Sequence, residues 1–295
     1  MIYRSLFITA NVLFFFSTST FASIKFDPDL VRPWSKTDKV QFPTPLVAVF
    51  QKSNKTLIFV GDHHKDPAKT YEFSKKAIEK YLPDIIVIES LEFNKGKNPK
   101  HWISKYAGKS KEEVWKDPTL GSGTELLATA RHIPIIGGEP SIEDEISSPF
   151  LIGKGFDSDD IRNVQILQQT PYRRDQLKIS NLDIFFDYAL KLYKVKEAKT
   201  DFKPKFFSWY RKRTQKEFDY NTISKSDTDV NCATNDTFLQ KIACTININR
   251  DRALVEHVEI LLKSHQRVMV VYGTGHFVQE YPVYLKAFGQ EPVYL

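Results

Sequence analysis

Five short runs of branched apolar residues constrain this chain more than any other feature. They are PLVAVFQ (45–51), TLIFVG (56–61), DIIVIE (84–89), IPIIGGE (133–139) and RVMVVYG (267–273). Within them apolar side chains follow one another instead of alternating with polar ones. That is the pattern of strands buried on both faces, as in a parallel sheet covered by helices. The first two runs are joined by Lys52-Ser53-Asn54-Lys55, short enough for a hairpin. The later connections are too long for hairpins, and they hold helical patterns. Tyr71, Ile78 and Leu82 recur at helical spacing over 68–82, and Pro83 stops that helix. Ser122-x-x-Glu125 has the form of a capping box ahead of Leu126, Leu127 and Ala130. Strand, helix, strand, helix and strand before residue 140 predict an α/β fold: a mostly parallel central sheet flanked by helices.

Residues 141–245 change character and hold little that reads as a buried strand. The spacing predicts helices over 157–169 and 182–196, the second with Ile184, Phe185, Tyr188, Leu192 and Val195 on one face. This stretch is read as a helical insertion in a single α/β domain spanning 23–295. The βα pattern then returns, with a helix over 252–264, the strand 267–273, and a helix over 277–288 that Pro282 should disturb.

The first 22 residues read as a secretory signal. Arg4 precedes the apolar run 6–16, and Thr20-Phe21-Ala22 fits a small-x-small cleavage site, so cleavage is expected after Ala22. The apolar run is shorter than the roughly 20 residues that span a bilayer. The expected product is periplasmic or secreted, with no stable membrane insertion after cleavage. In an oxidising compartment Cys232 and Cys244 are expected to form one disulfide.

Two Gly-x-x-His stretches carry chemistry-bearing residues. Gly61-Asp62-His63-His64 follows the strand 56–61, and Gly273-Thr274-Gly275-His276 ends the strand 267–273. In open α/β sheets functional residues collect at the carboxyl ends of strands, and glycine there is expected to allow a sharp backbone turn. His64 and His276 would face one pocket if their strands are neighbours. His63 would point the other way on an extended segment. Glu89 and Glu139 close two further runs, and a charge ending an apolar run is seldom there for packing. His101, His132, His257 and His265 are read as surface residues. So is an alternative for Arg250, as a helix-start arginine paired with Asp251 or Glu256.

These motifs resemble the TraB/PrgY/GumN–Tiki group, which is related to the erythromycin esterase and ChaN-like families. The match lies in residues 59–89 and 249–277; the middle is unmatched. The resemblance implies motif roles for His64 and His276, and for Glu89 at the end of its strand. Arg250, in Asn-Arg-Asp, falls where the group has its arginine, although that motif usually begins with glutamate and here begins with Asn249. Asp62 stands where the esterase-like branch carries glutamate. Glu139, in Gly-Gly-Glu-Pro, is similar to a further acidic position.

The implied function is an exported hydrolase of peptide or ester bonds. In one version His64, Glu89, His276 and Glu139 hold a divalent metal, Mn, Co or Zn, whose bound water is the nucleophile. In a metal-free version His64 or His276 is the general base, a carboxylate such as Asp62 orients it, and Arg250 binds the oxyanion. The alternative is a binding module for haem or a small peptide, with Tyr71, Tyr272 or His276 as axial ligand.

Residues 203–216 mix basic side chains with Phe206, Phe207, Trp209 and Tyr210. They are read as a helix that packs its aromatics and solvates its charges. If the insertion covers the strand ends, these aromatics would line the cleft. The net charge of +6 therefore carries no expectation of a nucleic-acid partner. The expected partner is a peptide or small-molecule substrate, and the oligomeric state is left open.

Overall fold

The computed structural model describes residues 24–34, 42–62, 66–93, 109–110, 112–113, 123–234 and 236–295. The signal segment, His63, His64, His101 and Ser122 lie outside the described residues. The chain is α/β. Among the described residues six strands form one mixed sheet in the order β4-β3-β5-β2-β1-β6. They are β1 (Leu46–Lys52), β2 (Lys55–Asp62), β3 (Ile85–Glu92), β4 (Ile135–Glu139), β5 (Arg267–Gly273) and β6 (Val293–Tyr294). β1 and β2 form the antiparallel hairpin, with Lys52 opposite Lys55. β2 runs parallel to β5, β5 to β3 and β3 to β4. The carboxyl ends of those four strands therefore share one edge.

The continuous apolar runs are explained by burial on both sides. Phe50, Leu57, Phe59, Val87, Val268 and Val270 belong to one core; their sequence neighbours Val49, Ile58, Val60, Ile86, Met269 and Val271 belong to the other. The second face is covered by α1 (Pro67–Tyr81) and α2 (Thr124–Ala130). The predicted capping box before α2 is replaced by Gly123 as N-cap, with no side-chain cap.

Between β4 and β5 the described chain is helical: α3 (Ile142–Ile146), α4 (Pro149–Gly153), α5 (Ser158–Asp175), α6 (Leu182–Leu192), α7 (Lys199–Thr214) and α8 (Phe238–Ser264). These helices build a third core around Ile161, Phe185, Phe206 and Ile242. Two sequence expectations shift here. In α6 the buried face is Phe185, Phe186, Ala189 and Leu190, while Ile184 and Leu192 are exposed. Phe186 is in edge contact with Phe202 and Phe206, so the aromatic core sets the phase of the helix rather than the wider apolar stripe. In α7 Phe202, Phe206, Trp209 and Tyr210 are buried in this core. Its charges are largely paired, as in Lys199–Asp187, Lys203–Asp183 and Arg213–Asp160.

The helix expected over 252–264 begins much earlier. Thr237 and Gln240 form a reciprocal capping box at its start. Its first half, with Leu239, Ile242 and Ile246, packs in the helical core. Its second half, with Leu254, Val258 and Leu262, packs on the sheet. One α8 thus spans both cores, about 40 Å at 1.5 Å per residue. The last helix, α9 (Thr274–Phe288), follows β5 directly and continues through Pro282.

Candidate functional site

The middle of α8 crosses the carboxyl edge of the sheet. This crossing assembles the site, because it carries Arg250 and Asp251 to Glu139 at the end of β4, to Glu89 within β3 and to His276 in the first turn of α9. Asn249 is buried and accepts a hydrogen bond from Ser148 Oγ at 2.6 Å. Asn247 Nδ2 donates to Gln279 Oε1 on α9 at 2.9 Å. These polar contacts fix the rotation of α8 about its axis.

Arg250 pairs with neither Asp251 nor Glu256. Its guanidinium grips Glu139 bidentately, Nε to Oε2 at 2.7 Å and Nη2 to Oε1 at 2.5 Å. Burial would raise the Glu139 carboxyl, but the charge and hydrogen bonds of Arg250 hold it below the ordinary glutamate range. Burial works against the Arg250 charge, and Glu139, Glu89 and Glu145 more than restore it. The Arg250 side chain is still a third exposed and lines a cleft. Nη1 takes no part in the pair with Glu139.

Glu89 accepts a hydrogen bond from the Gly273 N–H at 2.8 Å. Its Oε1 lies 3.8 Å from His276 Nε2, wider than a direct hydrogen bond. The other ring nitrogen, Nδ1, is in very short contact with Asp251 Oδ1. Burial disfavours the imidazolium, but Asp251 and then Glu89 outweigh it, and the pKa of His276 rises to about 9. Tyr272 packs edge-on against His276, with ring centroids 5.3 Å apart. Burial, then the charges of Glu139 and Glu89, keep its phenol protonated. Gly138 makes room for it: a Cβ there would lie 2.5 Å from Tyr272 Oη.

β2 and β5 are neighbours, with Asp62 opposite Gly273, so the strands that lead into the two Gly-x-x-His stretches end side by side. Thr274 Oγ1 donates to the Asp62 carbonyl at 3.2 Å. Asp251 holds Nδ1 of His276 and so takes the orienting position. The two glycines do not serve left-handed turns. Gly273 has φ −50°. Gly61 is small because a Cβ there would meet Thr274 Oγ1 at 2.8 Å.

The cleft, about 340 Å³, lies between the sheet edge and the helical layer. Its polar wall includes Glu89, Glu139, Glu145, Gln165 and Arg250; its apolar wall includes Leu192, Val230 and Ile246. The aromatics of α7 are not among its lining residues. Glu145 is 5% exposed and accepts a very short hydrogen bond from Gln165. Burial pushes its carboxyl up to about 7 against the pull of Arg250.

The metal set expected from sequence is only partly present among the described residues. Glu139 is occupied by Arg250, and His64 lies outside them, which leaves His276 Nε2 and Glu89 Oε1. A second group, Asp251, His276 and Glu280, has ligating atoms within 4.8 Å of one another. There His276 Nδ1 and Asp251 Oδ1 are already in hydrogen-bond contact, which leaves no space for an ion between them. The first set is incomplete among the described residues, and in the second the His276–Asp251 hydrogen bond would have to open to admit an ion. Of the residues considered for haem, Tyr71 is buried in the core on the opposite face of the sheet, and Tyr272 is buried beside Glu139.

The Sγ atoms of Cys232 and Cys244 are 2.04 Å apart, bonded as a disulfide. The bond ties a short 3-10 turn, Cys232–Thr234, to α8 beside the cleft residues Val230 and Ala243. His257 is not a surface residue: it stacks on Phe93 at 4.4 Å, and burial lowers its pKa. His265 Nδ1 lies 3.1 Å from the Leu261 carbonyl at the end of α8, and His132 is exposed.

Sequence reasoning missed Asp251, Glu145, Tyr272 as a neighbour of Glu139, and Glu280. A signal for Glu280 is present, since it follows His276 by four residues and so shares its helix face. Asp251 gave none, because residues 238–250 did not read as helix. Set against known family models, characterised proteins and solved structures, the chain matches none.

Proposed function

We propose that this chain is an exported hydrolase of peptide or ester bonds in which His276 is the general base. The observation that carries the reading is the His276 pair: Nδ1 held by buried Asp251, and Nε2 3.8 Å from Glu89, which lines the cleft although His276 itself does not. A carboxylate on one imidazole nitrogen fixes the tautomer that leaves a lone pair on the other. At 3.8 Å Nε2 and Glu89 Oε1 are too close for a water in line between them, and the attacking water is proposed to sit beside the pair, in contact with both.

In this mechanism Nε2 takes a proton from the water as its oxygen bonds to the carbonyl carbon. Arg250, anchored by Glu139, turns Nη1 to the oxyanion that develops. The bond to the leaving group then breaks as His276 returns the proton to that group. The paired Gly-x-x-His stretches on adjacent strands support a kinship with the TraB/Tiki and erythromycin esterase groups. The metal-free version is favoured because Arg250 occupies Glu139 and Asp251 occupies Nδ1. The disulfide supports an oxidising compartment.

The test is a screen of the purified chain against chromogenic ester and peptide substrates. Activity is expected to survive dialysis against a chelator. It should fall about a thousandfold or more in His276→Ala, in line with loss of a catalytic base together with its ordered water. Because the base acts when neutral, kcat/KM should rise with pH and level off above about 9. Activity lost to the chelator and restored by Mn, Co or Zn would return the metal version to first place.

A further inference from the structure

Behind His276 lies a carboxyl group that the mechanism above does not use. Glu280 is fully buried on α9, one turn beyond His276. Its Oε2 accepts a hydrogen bond from Tyr284 Oη at 2.5 Å. Asp251, 1% exposed on α8, uses Oδ1 for His276. The two oxygens left over, Asp251 Oδ2 and Glu280 Oε1, are both buried, and neither has a hydrogen-bond partner among the described residues. The ligating atoms of the two carboxyl groups and of His276 lie within 4.8 Å of one another.

Two ionised carboxylates cannot share a dry site at this distance, and two orphaned acceptors are each costly. One proton between them removes both problems. We propose that Glu280 is a positioning residue: as a carboxylic acid it donates Oε1–H to Asp251 Oδ2 and so aims Oδ1 at His276 Nδ1. Burial pushes both carboxyls up, but the imidazole and Arg250 pull Asp251 back down, whereas the charges of Asp251 and Glu139 push Glu280 further up, so Asp251 keeps the negative charge. His276 itself is faced by Asp251, Glu89, Arg250 and Tyr272. The result is a line of four groups, Tyr284, Glu280, Asp251 and His276, ending at the base. Glu280 acts through Asp251 and touches no substrate.

Only the kinetic part of the test rests on the proposed hydrolase activity; the spectroscopic part does not. In the unmodified protein at neutral pH, infrared difference spectra against Glu280→Gln should show the carbonyl stretch of a buried protonated carboxylic acid. Its absence, with Glu280→Gln folded as the wild type is, would overturn the proposal. Proton NMR should show a far-downfield His276 Nδ1 proton. Glu280→Gln keeps an N–H donor toward Asp251 and should retain that resonance. Glu280→Met, of similar size but with no donor, should lose it. If activity is found, kcat should fall about tenfold in Glu280→Met with KM unchanged, and recover in Glu280→Gln. Retention of the resonance in Glu280→Met, its loss in a folded Glu280→Gln, or a stoichiometric metal ion on the Asp251–His276–Glu280 group would each overturn the assignment.

Discussion

At the scale of single residues, the site is a set of charges that fix one another's protonation. Glu139 does not act as a free carboxylate. It turns Arg250 from a flexible side chain into a fixed fork, since a bidentate pair sets angle as well as distance. Glu139→Gln should therefore cost about 1–3 kcal/mol of stability, the range for a hydrogen bond to a charged group, lessened by the partial exposure of Arg250. Arg250→Met should cost a similar amount, and a double-mutant cycle by chemical denaturation should show the two effects to be strongly non-additive. Additive losses would mean that the pair contributes nothing as a pair. Arg250→Lys should not rescue the interaction, because an ammonium cannot reproduce the two parallel N–H donors.

Among elements, α8 decides the geometry. It belongs to the helical core at one end and to the sheet at the other, so its midpoint is held against the strand ends from both sides. The disulfide secures its first turns. Closing a loop of this length stabilises a fold by about 3 kcal/mol in the chain-entropy account. Reduction, or Cys232→Ser with Cys244→Ser, should lower the stability of the native chain by about 2–4 kcal/mol, measurable as a lower midpoint in denaturant. The cleft wall at Val230 and Ala243 flanks the bond, so any substrate analogue that binds should bind more weakly in the reduced protein. Unchanged binding would mean that the helical core alone holds this wall. The early start of α8 was hidden in the sequence because Thr245, Asn247 and Asn249 interrupt its apolar pattern. Two of these polar residues are buried, and their role is to bond Gln279 and Ser148.

For the whole molecule, the buried charges set how stability follows pH. Burial raises Glu145 from 4.5 to about 7, so the folded state favours its neutral form and that contribution fades as pH rises through this range. His276 is raised from 6.5 to about 9, so its contribution is complete below about 6.5 and is lost as pH climbs toward 9. Glu139 is lowered, and its contribution is lost as pH falls below the ordinary glutamate range. Unfolding free energy should peak in mildly acidic solution and decline toward pH 9. His276→Gln should flatten the part of that decline above 6.5, and an unaltered slope would show that His276 is not raised. The α/β class, the hairpin, the parallel runs and Glu139 at the end of β4 were legible from residue order, because burial on two faces and turn chemistry are local properties; Glu89 instead lies three residues inside the end of β3, and His276 in the first turn of α9. The partner of Arg250, the burial of Asp251 and Glu280, the phase of α6 and the stacking of His257 were not. Each depends on which distant segment packs against it, and only the tertiary structure settles which charges meet in the low-dielectric space where α8 crosses the sheet.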